Sequence, residues 1–423
     1  MIRVKSKIYL ILLFNFFPGV CFFPGNTVMA QDEPLTLEQC VSIALRDNPV
    51  IKSSQDQYQA ALARVNQAKA FSQPSLSYDS DLQPDPFNFR NSGEFYAGVS
   101  KSVLFPGKRK VNTDIATKAS DEVRMDAELL KLNLNYRVKM AFYRLILNQE
   151  HLKFARQNKN LAQDFLNKTK VKFDAGDAAQ VEILRAQVEV AKSTSEIEMA
   201  SNELMATKAG LNFLLGREKN SKLVITGELY HAFVLLNLED LKNKALSNRP
   251  EISKVRILLE KEILAKKQAQ LSYLPDFDMG LFRHTIVGEA KTWDVTVALP
   301  IPLFFTQPLK GEIAEAQSNY NSLESELKNL QNSIRLEVEN AFQLALTAQN
   351  LINLFDKDML QQSEQVYQML LFSYEEGEIS GIELIDARKT LIDTKKSYGD
   401  ALFNYDVALA SIEKSTGQSL GTK

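Results

Sequence analysis

Two rhythms of apolar and polar residues take turns along this chain. One has a period of two. Trp293, Val295, Val297, Leu299 and Ile301 alternate with Thr292, Asp294, Thr296 and Ala298, and Phe277, Met279 and Leu281 alternate with Asp278 and Gly280. Earlier in the chain Leu76, Tyr78, Ser80 and Leu82 alternate with polar neighbours, and Phe95, Ala97, Val99 and Val103 share a face on which Lys101 is the one exception. Successive side chains of a strand point to opposite sides, so these segments predict four strands, each with one apolar face. The other rhythm steps by three and four. Leu323, Leu327, Leu330, Ile334, Val338, Ala341, Ala345, Ala348, Ile352 and Phe355 follow it with one interruption between Ile334 and Val338, as in a coiled coil with a stutter.

The helical segments are long. Leu37 to Phe71 and Leu238 to Leu271 each predict a helix of about 35 residues, ended by Pro74 and Pro275. Lys108 to Ala175 runs for 68 residues without a proline or a glycine cluster, a length of about 100 Å if continuous. Past Thr306-Gln307-Pro308 a second such run reaches Gly377. After each, a tight turn sends the chain back into a helix, Gln180 to Leu215 and Ile382 to Ser415. Asp177 with Gln180, and Ser380 with Glu383, have the spacing of capping boxes for these returning helices.

The two halves are one unit written twice. A fixed offset of 201 residues pairs Leu37 with Leu238, Glu38 with Glu239, Pro49 with Pro250, Pro74 with Pro275, Gly176 with Gly377, Glu182 with Glu383, Ala186 with Ala387 and Gly216 with Gly417. A constant period means constant element lengths, hence pseudo-symmetry. The expected organisation is a leader over 1–30, a first repeat over 31–216, a connector over 217–236 and a second repeat over 237–423. Leu223, Val224 and Ile225 in the connector predict a short strand.

Arg3, Lys5 and Lys7 followed by an apolar stretch from Ile8 to Phe23 and by Val28-Met29-Ala30 predict a secretory signal cleaved after Ala30. Acylation at Cys21 is the rival, against which Pro18-Gly19-Val20 makes a poor lipobox. Losing three basic residues leaves 47 against 52 acidic ones, a net charge of −5, which offers no basic surface for nucleic acid. Only Cys40 remains, so no intrachain disulfide can form. His151, His231 and His284 are isolated, and neither metal-ligand spacing nor a nucleophile motif occurs. An enzyme is therefore a distant reading, and no cofactor is expected. Beyond the leader no apolar run is long enough for a transmembrane helix, so any membrane entry must be by strands. Four strands cannot close a membrane barrel, since the smallest natural ones have about eight. An open edge in lipid would leave backbone groups unpaired. A barrel thus demands several chains.

The order of helix, strand pair, long helix, tight turn and returning helix, duplicated behind a signal, resembles the TolC-like outer-membrane efflux proteins. The specific match lies in Phe173-Asp174-Ala175-Gly176-Asp177-Ala178-Ala179-Gln180-Val181-Glu182-Ile183-Leu184-Arg185-Ala186-Gln187 and in Tyr374-Glu375-Glu376-Gly377-Glu378-Ile379-Ser380-Gly381-Ile382-Glu383-Leu384-Ile385-Asp386-Ala387. Phe105-Pro106-Gly107-Lys108-Arg109 looks like the heavy-metal, cobalt–zinc–cadmium branch. On residue chemistry alone Pro-Gly makes a strand-to-helix corner there, with Lys108, Arg109 and Lys110 facing lipid phosphates or water.

The resemblance implies a mainly α fold with a small β part, in which a homotrimer forms a 12-stranded outer-membrane β-barrel continuing into a periplasmic α-helical barrel. Its partners would be outer-membrane lipid, a periplasmic adaptor and an inner-membrane pump of the RND type, with solute exported without chemistry. It also implies a pore constriction at Glu383 and Asp386 and gate links at Glu182 and Tyr374. Adaptor-facing tips would lie at Gly176, Asp177, Ala178, Gly377 and Glu378. Ile379 stands where family members carry a basic latch residue, a departure that puts a salt-bridged lock at that position in doubt and leaves open how a closed gate is held. Against this duct stands a periplasmic coiled-coil scaffold, which would not need four apolar-faced strands. The cargo, whether metal, drug or protein, is left open.

Overall fold

The computed structural model describes residues 34–80, 93–229, 233–286, 288–301 and 306–420. The leader with Cys21, Leu82 of the first predicted strand, and His231 lie outside them. The first repeat runs α1 (Leu37–Asp47), α2 (Pro49–Lys69), β1 (Ser75–Ser80), β2 (Glu94–Val103), α3 (Lys108–Ala175) and α4 (Gln180–Leu214). The second runs α5 (Leu238–Asn248), α6 (Pro250–Ser272), β3 (Phe277–Ile286), β4 (Thr292–Ala298), α7 (Thr306–Leu354), a π-helical turn (Phe355–Met359), α8 (Leu360–Glu376) and α9 (Gly381–Thr416).

The expected helices of about 35 residues are each broken in two. Asn48 and Arg249 precede prolines, which disfavour helical backbone in the residue before them, and both sit extended at ψ 125°. Pro49 and Pro250 then take the first helical position, where a missing N–H costs nothing. Upstream, Thr36 and Gln39 form a capping box on α1. Asn48 caps α2 by accepting from Val50 N at 2.9 Å and donates to the carbonyl of Leu214 at 2.9 Å. Arg249, one repeat later, donates to the carbonyls of Lys414 at 3.3 Å and Ser415 at 3.4 Å. It is also held by Glu251 and Glu337. Each short helix is thus tied to the far end of its own repeat.

The strands form one antiparallel sheet in the order β1-β2-β3-β4. In the register, Leu76 faces Val99, Val99 faces Leu281 and Leu281 faces Val295. Tyr78, Ala97, Arg283 and Trp293 form the next such row. The apolar alternation read from each strand therefore adds up to one continuous face, and it is bare: Leu76 is 83% exposed, Val295 74% and Val297 65%. Arg283 on that face sits over the Trp293 ring at 5.3 Å. The opposite face carries Asp79, Glu94, Asp278, Asp294, Tyr96 and His284, with His284 Nε2 2.6 Å from Glu94. β4 stops at Ala298, three residues short of the alternation through Ile301.

α3 is continuous over its 68 residues. Its counterpart is not. The seam Ile334, Val338, Ala341, Ala345, Ala348, Ile352 and Phe355 is buried as its spacing predicts, but the π turn begins at Phe355. One extra residue carries the seam on to Leu360, Tyr367 and Tyr374, a step of five followed by steps of seven. The core lies in three clusters. Those around Leu145 and Leu211, and around Ile252, Val338 and Tyr405, belong to the first and second repeats, and a third joins the two helical hairpins near their tips. The connector contributes one parallel bridge, Leu35 to Ile225, rather than a full strand. No helix among the described residues is long and apolar enough to cross a membrane.

Candidate functional site

Each hairpin tip is built by a glycine in left-handed backbone. Gly176 has φ 88° and Gly377 φ 85°, a conformation that a side chain would strain. The amide of Asp177 then reaches the carbonyl of Lys172 at 2.8 Å, and that of Glu378 reaches Ser373 at 2.9 Å. These six-residue closures satisfy the orphan carbonyls at the ends of α3 and α8. Neither expected capping box forms. Asp177 is spent on the closing turn, and α4 starts from Ala179 with no side-chain cap. Ser380 precedes α9, but its hydroxyl donates to the Glu383 carboxylate at 3.2 Å instead of capping a backbone amide. Ala178 sits between the glycine turn and α4.

Leu384, Ala387 and Leu391 face the core of the tips. Glu383 and Asp386 consequently lie on the other flank of α9, both exposed and three residues apart on one helical face. Ile379 packs against the tip core, as an apolar residue at that place would. Tyr374 is buried there at 2% exposure, its ring 5.3 Å from that of Phe165. Thr169 gives its single hydroxyl proton to the Phe165 carbonyl at 2.8 Å, so the Tyr374 hydroxyl donates into Thr169 Oγ1 at 2.9 Å. Burial pushes the Tyr374 phenol above its ordinary range, and the charge of Glu182 adds to this. Within one chain Tyr374 is therefore bonded to Thr169, with Glu182 nearby but not its partner.

Ion pairs between the hairpins were not legible in the sequence. Lys168 on α3 bridges Asp164 at 2.9 Å and Glu375 on α8 at 2.6 Å, and Lys172 donates to the Glu375 carbonyl at 2.9 Å. Higher up, Arg388 on α9 meets Glu189 on α4 at 2.6 Å. Arg388 is 4% exposed, and its Nε and Nη1 lack partners. Among the described residues no cluster of histidine, cysteine or carboxylates could hold a metal ion.

This geometry has known counterparts. A family model described as outer membrane efflux protein matches residues 40–217 and 241–418, once on each repeat. The cobalt-zinc-cadmium resistance protein CzcC of Cupriavidus metallidurans is 21% identical across 95% of this chain and 98% of its own. The outer membrane protein TolC of Vibrio cholerae is 21% identical across 90% of each. In fold, a solved structure of the channel-forming protein CusC superimposes with a TM-score of 0.78 over 90% of this chain and 92% of that one, at 17% identity. A doubled hairpin, a four-stranded sheet with one bare apolar face, and a family match over both halves lead to one conclusion: the chain belongs to the outer membrane efflux protein family, whose members are channels of the cell outer membrane.

Proposed function

We propose that the protein works as a homotrimeric exit duct, passing solute through the outer membrane from an inner-membrane pump of the RND type and a periplasmic adaptor, and that it performs no catalysis. The sheet carries this reading. β1 and β4 are edges with unpaired ladder groups on a sheet whose outer face is exposed and largely apolar. In lipid such edges are tolerable only if other copies pair with them. Three copies would supply twelve strands, four from each, above the minimum of about eight for a closed barrel.

At the far end, three copies of Glu383 and Asp386 would ring the narrowest part of the pore with carboxylates. Glu182 and Tyr374 would link neighbouring hairpins in a closed gate. The turns at Gly176, Asp177 and Ala178 and at Gly377 and Glu378 would meet the adaptor. Cation cargo, including heavy metals as in the name of CzcC, is favoured by the inner face of the sheet. That face holds Asp79, Glu94, Asp278 and Asp294 and, among the described residues, no lysine or arginine. A ring that attracts cations without coordinating them tightly suits passage.

The test is mass in mild detergent followed by single-channel recording in a planar bilayer. The expected outcome is a trimer giving ohmic, cation-selective steps. A monomer, or an inserted trimer without conductance, would return the chain to a periplasmic scaffold.

A further inference from the structure

Where β2 hands over to α3 there is a cavity of about 650 Å³. Lys69, Lys101, Arg109 and Lys110 line it, with Asp114 as its single carboxylate. Two neighbouring lysines on α3 are neutralised: Lys108 by Asp276 at 3.0 Å and Lys118 by Glu260. The four in the cavity have no ion pair among the described residues. Two of them are held by one aromatic ring instead. The Arg109 guanidinium lies 3.7 Å and the Lys101 ammonium 5.1 Å from the centre of the exposed Phe71, which fixes both heads beside the opening.

The location fits a particular occupant. Lys101 is on the apolar face of the sheet, level with Met279 and two residues from Val99. It lies at the end of the strands from which the long helices depart, and this end belongs at the periplasmic boundary of the membrane. Val103, Leu104 and Phe105 continue the apolar lining into the cavity. Positive charge just below a lipid-facing surface complements a phosphate that carries acyl chains.

We propose that the cavity seats the phosphodiester headgroup of a phospholipid from the inner leaflet of the outer membrane, one per protomer, between Lys101 and Arg109. The proposal rests on the membrane-barrel reading of the sheet. It adds an anchoring site that fixes the depth of the barrel.

Native mass spectrometry of the detergent-purified trimer tests it, with phosphatidylglycerol, an uncharged diacylglycerol of the same chains, and inorganic phosphate as probes. We expect phosphatidylglycerol to be retained at about one per chain and diacylglycerol to be lost. Lys101→Gln with Arg109→Gln should weaken phosphatidylglycerol about 30-fold, while a control pair, Lys310→Gln with Lys328→Gln, leaves it unchanged. Equal retention by the Lys101/Arg109 variant, retention of diacylglycerol as strong as that of phosphatidylglycerol, or full displacement by phosphate at equal concentration would each overturn the proposal. Should the variant not assemble, the wild-type comparison of the two lipids decides. Failure of the barrel reading would show separately, as a monomer mass before any lipid is added.

Discussion

At the scale of single residues, charge near the tips divides into two kinds. Arg388 is removed from water and, with the half-buried Glu189, holds two helices together, whereas Glu383 and Asp386 remain solvated, as the proposed pore ring requires. Replacing both Glu383 and Asp386 with Ala should therefore reduce cation preference and weaken block by trivalent cations, with little loss of stability. Reversal potentials of wild type and variant in a bilayer check this, and unchanged selectivity in intact trimers would refute it. Cys40 makes a different expectation. It is fully buried, and burial pushes its thiol up to about 11. Because the folded state favours the neutral thiol, its contribution to stability is complete below the ordinary thiol range and declines as the pH rises towards 11. At pH 8 the folded protein should react with a thiol reagent far more slowly than the denatured chain, and equal rates would contradict the burial. The exposed acidic pair could be placed from sequence because a three-residue spacing fixes a shared helical face. Lys168 with Glu375 and Arg388 with Glu189 could not, since each pair joins helices whose relative rotation only packing decides.

At the scale of elements, legibility followed the strength of the repeating pattern. A strand flanked by lipid on one side and water on the other has a strict period of two, so the apolar faces are legible in the sequence as far as the described strands run, while the alternation through Leu299 and Ile301 overshoots the end of β4. The breaks at Asn48 and Arg249 are not legible in the pattern because a proline at the first turn of a helix leaves the apolar spacing around it undisturbed. The π turn was hidden for a related reason: a single added residue looks like irregular spacing in a seam that already tolerates some. The face assignment makes a sharp prediction. Val297→Arg puts a charge on the bare apolar face, at a cost of about 2 to 4 kcal/mol near the bilayer midplane, whereas Thr296→Arg points to the water-filled side. Heat-resistant trimer on a gel should be lost in the first and largely kept in the second, and equal loss in both would reverse the faces.

At the scale of the whole molecule, the duplication places Asn48 and Arg249 at equivalent sites, both reaching main-chain carbonyls at the end of their repeat. A carbonyl is the same acceptor whatever residue bears it, so either donor will serve, but the donors differ in what they require. Arg249 is 5% exposed and has Glu251 and Glu337 to neutralise it, while the matching places in the first repeat hold Val50 and Tyr136. We expect Asn48→Arg to strand a charge and destabilise the first repeat by about 3 to 5 kcal/mol. A urea midpoint near that of wild type would argue against it. If the cost holds, the halves are not interchangeable part for part: Arg249 is viable only in company with Glu251 and Glu337, so the cation and its two acids form one unit that must be moved between the repeats together or not at all.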